Sequence, residues 1–117
     1  MSEPIYTLKA EFFKTLGHPA RIRILELLAE GEHSVTELMP ELGLESSHLS
    51  QQLAVLRRAG LVAARKSGNN VIYSMTSQDM AELLLVARNV LTGLLTDQVG
   101  LLKDLQASGS ATLRVDR

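Results

Sequence analysis

The chain contains no cysteine and no tryptophan. With no thiol available, disulfides, thiolate metal centres and cysteine nucleophiles are excluded together. Aromatic residues are nearly missing: Tyr6, Phe12, Phe13 and Tyr73 make up 3% of 117 residues, so aliphatic side chains must build the core. No apolar run approaches the roughly 20 residues that a membrane helix needs. Glu3 and Pro4 interrupt any signal-peptide start, so a cytoplasmic protein without a membrane partner is the expectation. No phosphate-cradling glycine loop and no clustered acid–base constellation occurs, which sets an enzyme aside.

Charge is unevenly placed along the chain. Between Ser46 and Gln78 there is no Asp or Glu, while Arg57, Arg58, Arg65 and Lys66 all lie there. Between Glu26 and Glu45 the balance reverses, with Glu26, Glu30, Glu32, Glu37, Glu41 and Glu45 and no Lys or Arg. A formal net charge of −1 therefore hides a sharp local asymmetry. The acid-free stretch is where phosphates can be met.

The length of 117 residues fits a single domain over 1–117, with 1–5 and 107–117 expected to be flexible. So small a domain buries a modest core, and a second subunit would stabilise it. Leu8, Phe12, Phe13 and Leu16 recur at helical spacing and predict a first helix over 6–17. Pro19 suits the first position of a second helix, whose apolar face is Ile22, Leu25, Leu27 and Leu28 and which ends near Gly31. Ser34 and Glu37 have capping-box spacing, predicting a short helix over 35–42 with Pro40 inside it and Gly43 closing it. After the turn Gly43-Leu44-Glu45, Ser46 reads as the N-cap of a helix over 46–59, with Leu49, Leu53 and Leu56 inward and Gly60 as its stop. Two short helices across a tight glycine turn make a helix-turn-helix. Val71, Tyr73 and Met75 then alternate with Ile72 and Ser74 behind Gly68-Asn69-Asn70, predicting a two-stranded ribbon, or wing. Ser77 caps a long helix over 78–106, apolar well beyond one stripe through Met80, Leu83, Leu84, Ala87, Val90, Leu91, Leu94 and Leu95 with Leu85, Val86, Val99, Leu101, Leu102 and Leu105. Such a helix must be covered on more than one side, which calls for a partner subunit. The expected architecture is mainly α with a two-stranded β-wing.

The segments LGHPARIRILELL (16–28), TELMPELGLESSHLSQQLAVLRRAGLV (36–62) and GNNVIYSM (68–75) resemble the ArsR/SmtB family of winged helix-turn-helix regulators. The resemblance runs over about 8–95 and is most specific in the S-x-L-S-x-x-L-x-x-L-R-x-A-G-L-V stretch, 47–62. It implies a homodimer through the first and last helices, operator binding by paired recognition helices, repression of transcription, and control by a bound effector. Many relatives sense thiophilic metals through cysteines on the helix that is here 35–42, and this chain has none. Others use a D-x-H pattern on the last helix. Asp79 is present, but Ala81 holds the histidine position and the helix has no histidine, so both familiar metal sites are missing.

A recognition helix offers its N-terminal half to base edges. Ser46, Ser47, His48, Ser50, Gln51 and Gln52 occupy that half, with Ser47, His48 and Gln51 the candidate base readers and Ser46 suited to a phosphate and to capping. Arg57 or Arg58 is a candidate phosphate contact or internal ion pair, and Arg65 and Lys66 are candidate wing contacts. Arg21 and Arg23 are candidates for positioning the backbone. The plainer reading of each polar or charged side chain is a solvated surface. His18, His33 and His48 share no helical metal-pair spacing and read as capping or surface residues, so no cofactor is expected. Nickel or zinc held by histidine with Asp or Glu across the dimer is the alternative. A winged-helix protein-interaction module and the wider winged-helix group, such as the MarR type, are the other readings.

Overall fold

The structure is a computed structural model that describes residues 3–107. In chain order the elements are α1 (Ile5–Leu16), α2 (Pro19–Glu30), β1 (His33–Ser34), α3 (Val35–Leu42), α4 (Ser46–Arg58), β2 (Val62–Ser67), β3 (Asn70–Met75) and α5 (Gln78–Ala107). The chain divides within α5 into two compact units, Met1–Ala81 and Glu82–Arg117. At the N-terminus α1 begins at Ile5, inside the segment expected to be loose. Of the tail expected to be flexible, Ala107 closes α5 and the rest lies outside the described residues.

Two helices of the first unit, α2 and α3, start where a side chain accepts from a backbone N–H. His18 is the N-cap of α2: its Nδ1 accepts from the Ala20 amide at 3.1 Å, and Pro19 follows with no amide to satisfy. At α3 the capping box is complete. The Glu37 amide donates to Ser34 Oγ at 3.1 Å, and the Ser34 amide donates to Glu37 Oε1 at 2.8 Å. Pro40 sits inside α3 and removes one helical donor. The caps at both ends offset that loss, since the Gly43 amide donates to the Met39 carbonyl at 2.9 Å from a left-handed conformation, φ 64°. Only glycine takes that conformation without strain, so Gly43 turns the chain between the two helices.

The start of α4 departs from expectation. Glu45, not Ser46, is the extended N-cap residue, its side chain makes no cap hydrogen bond, and Ser46 is the first helical residue. Serine is the better cap by chemistry, but position is set by which residue holds extended dihedrals, and that is Glu45.

Ile24 and Leu25 of α2, Leu38 of α3 and Leu49, Leu53 and Leu56 of α4 are fully buried. Each such side chain contributes about 1.5–3 kcal/mol by leaving water. Arg21 ties three helices together: its Nε donates to Gln52 Oε1 at 2.9 Å and its Nη1 to the Thr15 carbonyl at 3.0 Å. It thereby satisfies a carbonyl that the end of α1 leaves without a helical donor.

The wing is a β2–β3 hairpin in antiparallel register, Val62 opposite Met75 through Ser67 opposite Asn70. Gly68 alone of its turn is left-handed, at φ 64°, as a two-residue hairpin loop permits. The sheet has a third strand that the sequence reading did not foresee. His33 and Ser34 pair with Tyr73 and Ile72, giving the order β1-β3-β2. Thr76 Oγ1 donates to the Gly60 carbonyl at 2.7 Å, which fastens the end of the wing to the end of α4.

Ser77 caps α5 as expected, accepting from the Asp79 amide at 3.1 Å. Past Ala81 the helix carries Leu85, Val86, Val90, Leu91, Leu94, Leu95 and Val99, each at least half exposed. No helix among the described residues is long and apolar enough to cross a membrane.

Candidate nucleic-acid interface

One face of α4 is spent on the core and the other is open. Leu49, Leu53 and Leu56 are buried, while Ser46, Ser47, His48, Ser50 and Gln51 are exposed. Five polar side chains over the first two turns of a helix, with donors and acceptors and no carboxylate, match what base edges and phosphates can pair with. Gln52 does not join them. It is 8% exposed and its amide oxygen is held by Arg21, so its assignment to the DNA-binding face is corrected: it joins α4 to α2 from inside. Arg21 is engaged in that same contact, and Arg23 pairs with Glu26 at 3.2 Å.

The cations of the acid-free stretch fall into two groups. Arg57 and Arg58 sit in the last turn of α4, exposed. They line an open cleft of about 460 Å³ with Ser50, Ala54 and Tyr73, between α4 and the wing strand β3. Tyr73 was not singled out as functional from the sequence. Its alternation with Val71 and Met75 set its face, but nothing local said that α4 lies there.

Arg65 and Lys66, neighbours in sequence, point to opposite faces of the hairpin, because successive strand residues alternate. Lys66 is opposite Val71 and shares the face of Ala64 and Tyr73, whereas Arg65 is opposite Ile72. Arg65 Nη2 is bound to Glu32 Oε1 at 2.7 Å, both side chains being about half exposed. The structure thus brings Ser50, Arg57 and Arg58 together with Tyr73, puts Lys66 on the face of Tyr73, and ties Arg65 to the loop before β1.

The histidines are dispersed. His18 is an N-cap, His48 is exposed on α4, and His33 Nδ1 stands 3.8 Å from Glu37 Oε1. The backbone hydrogen bond from Ser34, helped by the Ser34 hydroxyl and the charge of His33, holds the Glu37 carboxyl below its ordinary 4.5. Among the described residues no three His, Asp or Glu side chains gather as a metal would require.

Residues 18–64 match the family described as bacterial regulatory protein, arsR family. The chain is 67% identical over 112 residues to an "Uncharacterized HTH-type transcriptional regulator", Rv0081, of Mycobacterium tuberculosis, covering 95% of this chain and 98% of that one. The crystal structure of the M. tuberculosis protein superposes with a TM-score of 0.78 at 68% identity, covering 84% of this chain and 99% of that one. A biofilm growth-associated repressor of Xylella fastidiosa is 41% identical over 75 residues, 64% of this chain and 66% of that one. The solution structure of a homodimeric winged helix-turn-helix DNA-binding domain from Mycobacterium bovis, a possible ArsR-family regulator, gives a TM-score of 0.71 at 31% identity over 81% of this chain and 91% of that one. The capped helix-turn-helix, the wing joined to its end and this kinship agree: the chain belongs to the arsR family of bacterial regulatory proteins and is a winged helix-turn-helix DNA-binding transcriptional regulator.

Proposed function

We propose that the protein represses transcription by binding an operator as a homodimer, with α4 of each subunit in the major groove. The observation that carries the reading is the division of α4 into a buried leucine side and an exposed side of Ser46, Ser47, His48, Ser50 and Gln51 free of acid. Ser47, His48 and Gln51 read base edges; Gln51 has the amide needed for a two-point contact to adenine. Ser46 and Ser50 face phosphates, and the wing reaches the backbone beyond the groove. Two copies related by a two-fold axis place their recognition helices about one turn of DNA apart, so the operator is an inverted repeat.

Support for the dimer comes from apolar surface that water disfavours. Taken alone, α1 exposes Ile5, Tyr6, Leu8 and Phe13, and α5 beyond Ala81 exposes Leu85, Val86, Val90, Leu91, Leu94, Leu95 and Val99. Patches of that kind mark interfaces. The M. bovis relative is a homodimer by its own description, and the same assembly through the first and last helices serves this chain.

The test is a fluorescence-anisotropy titration of labelled DNA from upstream of the gene, with sedimentation of the protein and of its complex. Two chains per operator and preference over a scrambled duplex are expected. One chain per site, or equal affinity for both duplexes, overturns the reading. The titration is run metal-free and again with Ni²⁺ or Zn²⁺. A shifted midpoint assigns control to a divalent cation and directs the search to histidine with Asp or Glu ligands across the dimer; an unshifted one assigns it to another ligand class or to none.

A further inference from the structure

We infer that the cleft between α4 and β3 is a binding site for a DNA backbone phosphate, and that Tyr73 and Lys66 continue this contact along one face of the wing. The inference rests on the DNA-binding reading of α4 and adds to it a phosphodiester site outside the base-reading half of the helix.

Among the arginines of the first unit, pairing sets the two at the cleft apart from the others. Arg21, Arg23 and Arg65 each have an acceptor inside the chain: Gln52 and Thr15, Glu26, and Glu32. Among the described residues Arg57, Arg58 and the Tyr73 hydroxyl have no ion-pair or hydrogen-bond partner, and these three residues line one cleft. Two guanidiniums that line one cleft without a counter-charge attract an anion bound there. Guanidinium forks match phosphate oxygens in shape, and a phenol hydroxyl adds one further donor.

The position of the cleft selects the anion. Ser50 belongs both to its lining and to the exposed face of α4. A duplex lying along that face therefore runs its backbone past Arg57 and Arg58 toward the wing. There the strand register puts Lys66 on the face of Tyr73 and Arg65 on the other. Tyr73, half-buried at the joint, stands between helix and wing as a positioning donor.

The experiment measures the affinity of the full chain for operator and scrambled duplexes over a range of salt. The variants are Arg57→Gln with Arg58→Gln, Tyr73→Phe, Lys66→Gln and Arg65→Gln, with Lys14→Gln as a charge-matched control and Gln51→Ala as a base-reading control. Each lost phosphate contact lowers the slope of log K against log salt by about 0.9. The double arginine variant is expected to flatten the slope by about 1–2 and to weaken both duplexes alike. Tyr73→Phe is expected to weaken both about 10-fold with an unchanged thermal midpoint. Lys66→Gln is expected to lose more than Arg65→Gln.

A wild-type slope in the double variant, normal binding by Tyr73→Phe, or a larger loss from Arg65 than from Lys66 overturns the inference. If Gln51→Ala then still relaxes operator preference, the DNA-binding reading of α4 survives and only the phosphate site falls. A wild-type protein without salt-dependent DNA binding overturns both. Saturable binding of inorganic phosphate by the DNA-free protein, with duplex affinity indifferent to the cleft variants, makes the cleft a small-anion site and likewise overturns the inference.

Discussion

The two halves of the first unit use charge in opposite ways. In the acidic half, Glu26 to Glu45, carboxylates build local structure: Glu26 holds Arg23, Glu37 closes the capping box of α3, and Glu32 reaches across to Arg65. In the acid-free half, Ser46 to Gln78, Arg57, Arg58 and Lys66 are left without a carboxylate partner among the described residues. The first half holds its shape with its own charges, and the second keeps its charges for a ligand. A near-neutral chain can bind a polyanion because affinity follows the local field and not the sum.

The largest effect that can break this comparison comes from reversing charge on the second half. Arg57→Glu with Arg58→Glu is expected to weaken binding to any duplex on the order of 100-fold or more at moderate salt, since two attractions become two repulsions. Glu26→Gln with Glu41→Gln is expected to change affinity less than about 3-fold, because single solvent-accessible charges outside the contact are weakened by solvent and salt. Anisotropy titrations at one salt concentration compare the two. Equal losses would mean that the asymmetry in sequence is without consequence at the DNA surface.

Ser34→Ala probes the structural use of a carboxylate. Losing the hydroxyl that accepts from the Glu37 amide is expected to lower stability by about 1 kcal/mol in chemical denaturation. DNA affinity per folded molecule is expected to hold, because the first helix of the pair is shortened at the end away from α4. A loss of affinity larger than the loss of stability would give α3 a direct part in binding.

Acid separates the same contact more finely. The folded pKa of Glu37 lies below its ordinary 4.5, first because of the Ser34 backbone hydrogen bond. The ionised form is therefore the one that supports the fold. That support is complete above the unfolded pKa and is lost as pH falls through the folded one. Wild type is expected to exceed Glu37→Gln in thermal midpoint at neutral pH, and the gap to close as pH drops below about 4.5. A gap that persists in strong acid would assign the cap to something other than the carboxylate charge.

What was legible in the sequence and what was not divides by distance along the chain. The helix-turn-helix and the hairpin announced themselves through leucine spacing, the Ser34–Glu37 pair and the Gly68 turn, all local signals. Gln52 was misplaced because it flanks the Leu49–Leu53–Leu56 stripe, and only Arg21, 31 residues away, draws it inward. The pairing of Arg65 with Glu32 spans 33 residues and leaves no periodic trace. At two residues β1 is too short to alternate visibly, so the third strand was unseen. The cleft between α4 and β3 depends on how the hairpin folds back beside the helix, which no window of sequence contains.

The smallest effect is also the sharpest, because it acts on the one ion pair among the described residues that joins the two halves. Glu32 and Arg65 are both about half exposed at 2.7 Å, so their bond is worth no more than about 1 kcal/mol after solvent screening. Glu32→Gln removes a negative charge near the wing and releases Arg65 at little expense to the fold. If Arg65 then turns to the backbone, affinity for every duplex rises about 2–5-fold and the salt slope steepens by about 0.9. If affinity and slope both stay at the wild-type values, Arg65 belongs to the structural half even when free, and the boundary between the two halves runs through the wing between residues 65 and 66. If affinity falls, Glu32 was holding the hairpin in its binding geometry, and a carboxylate of the acidic half is then part of the DNA site.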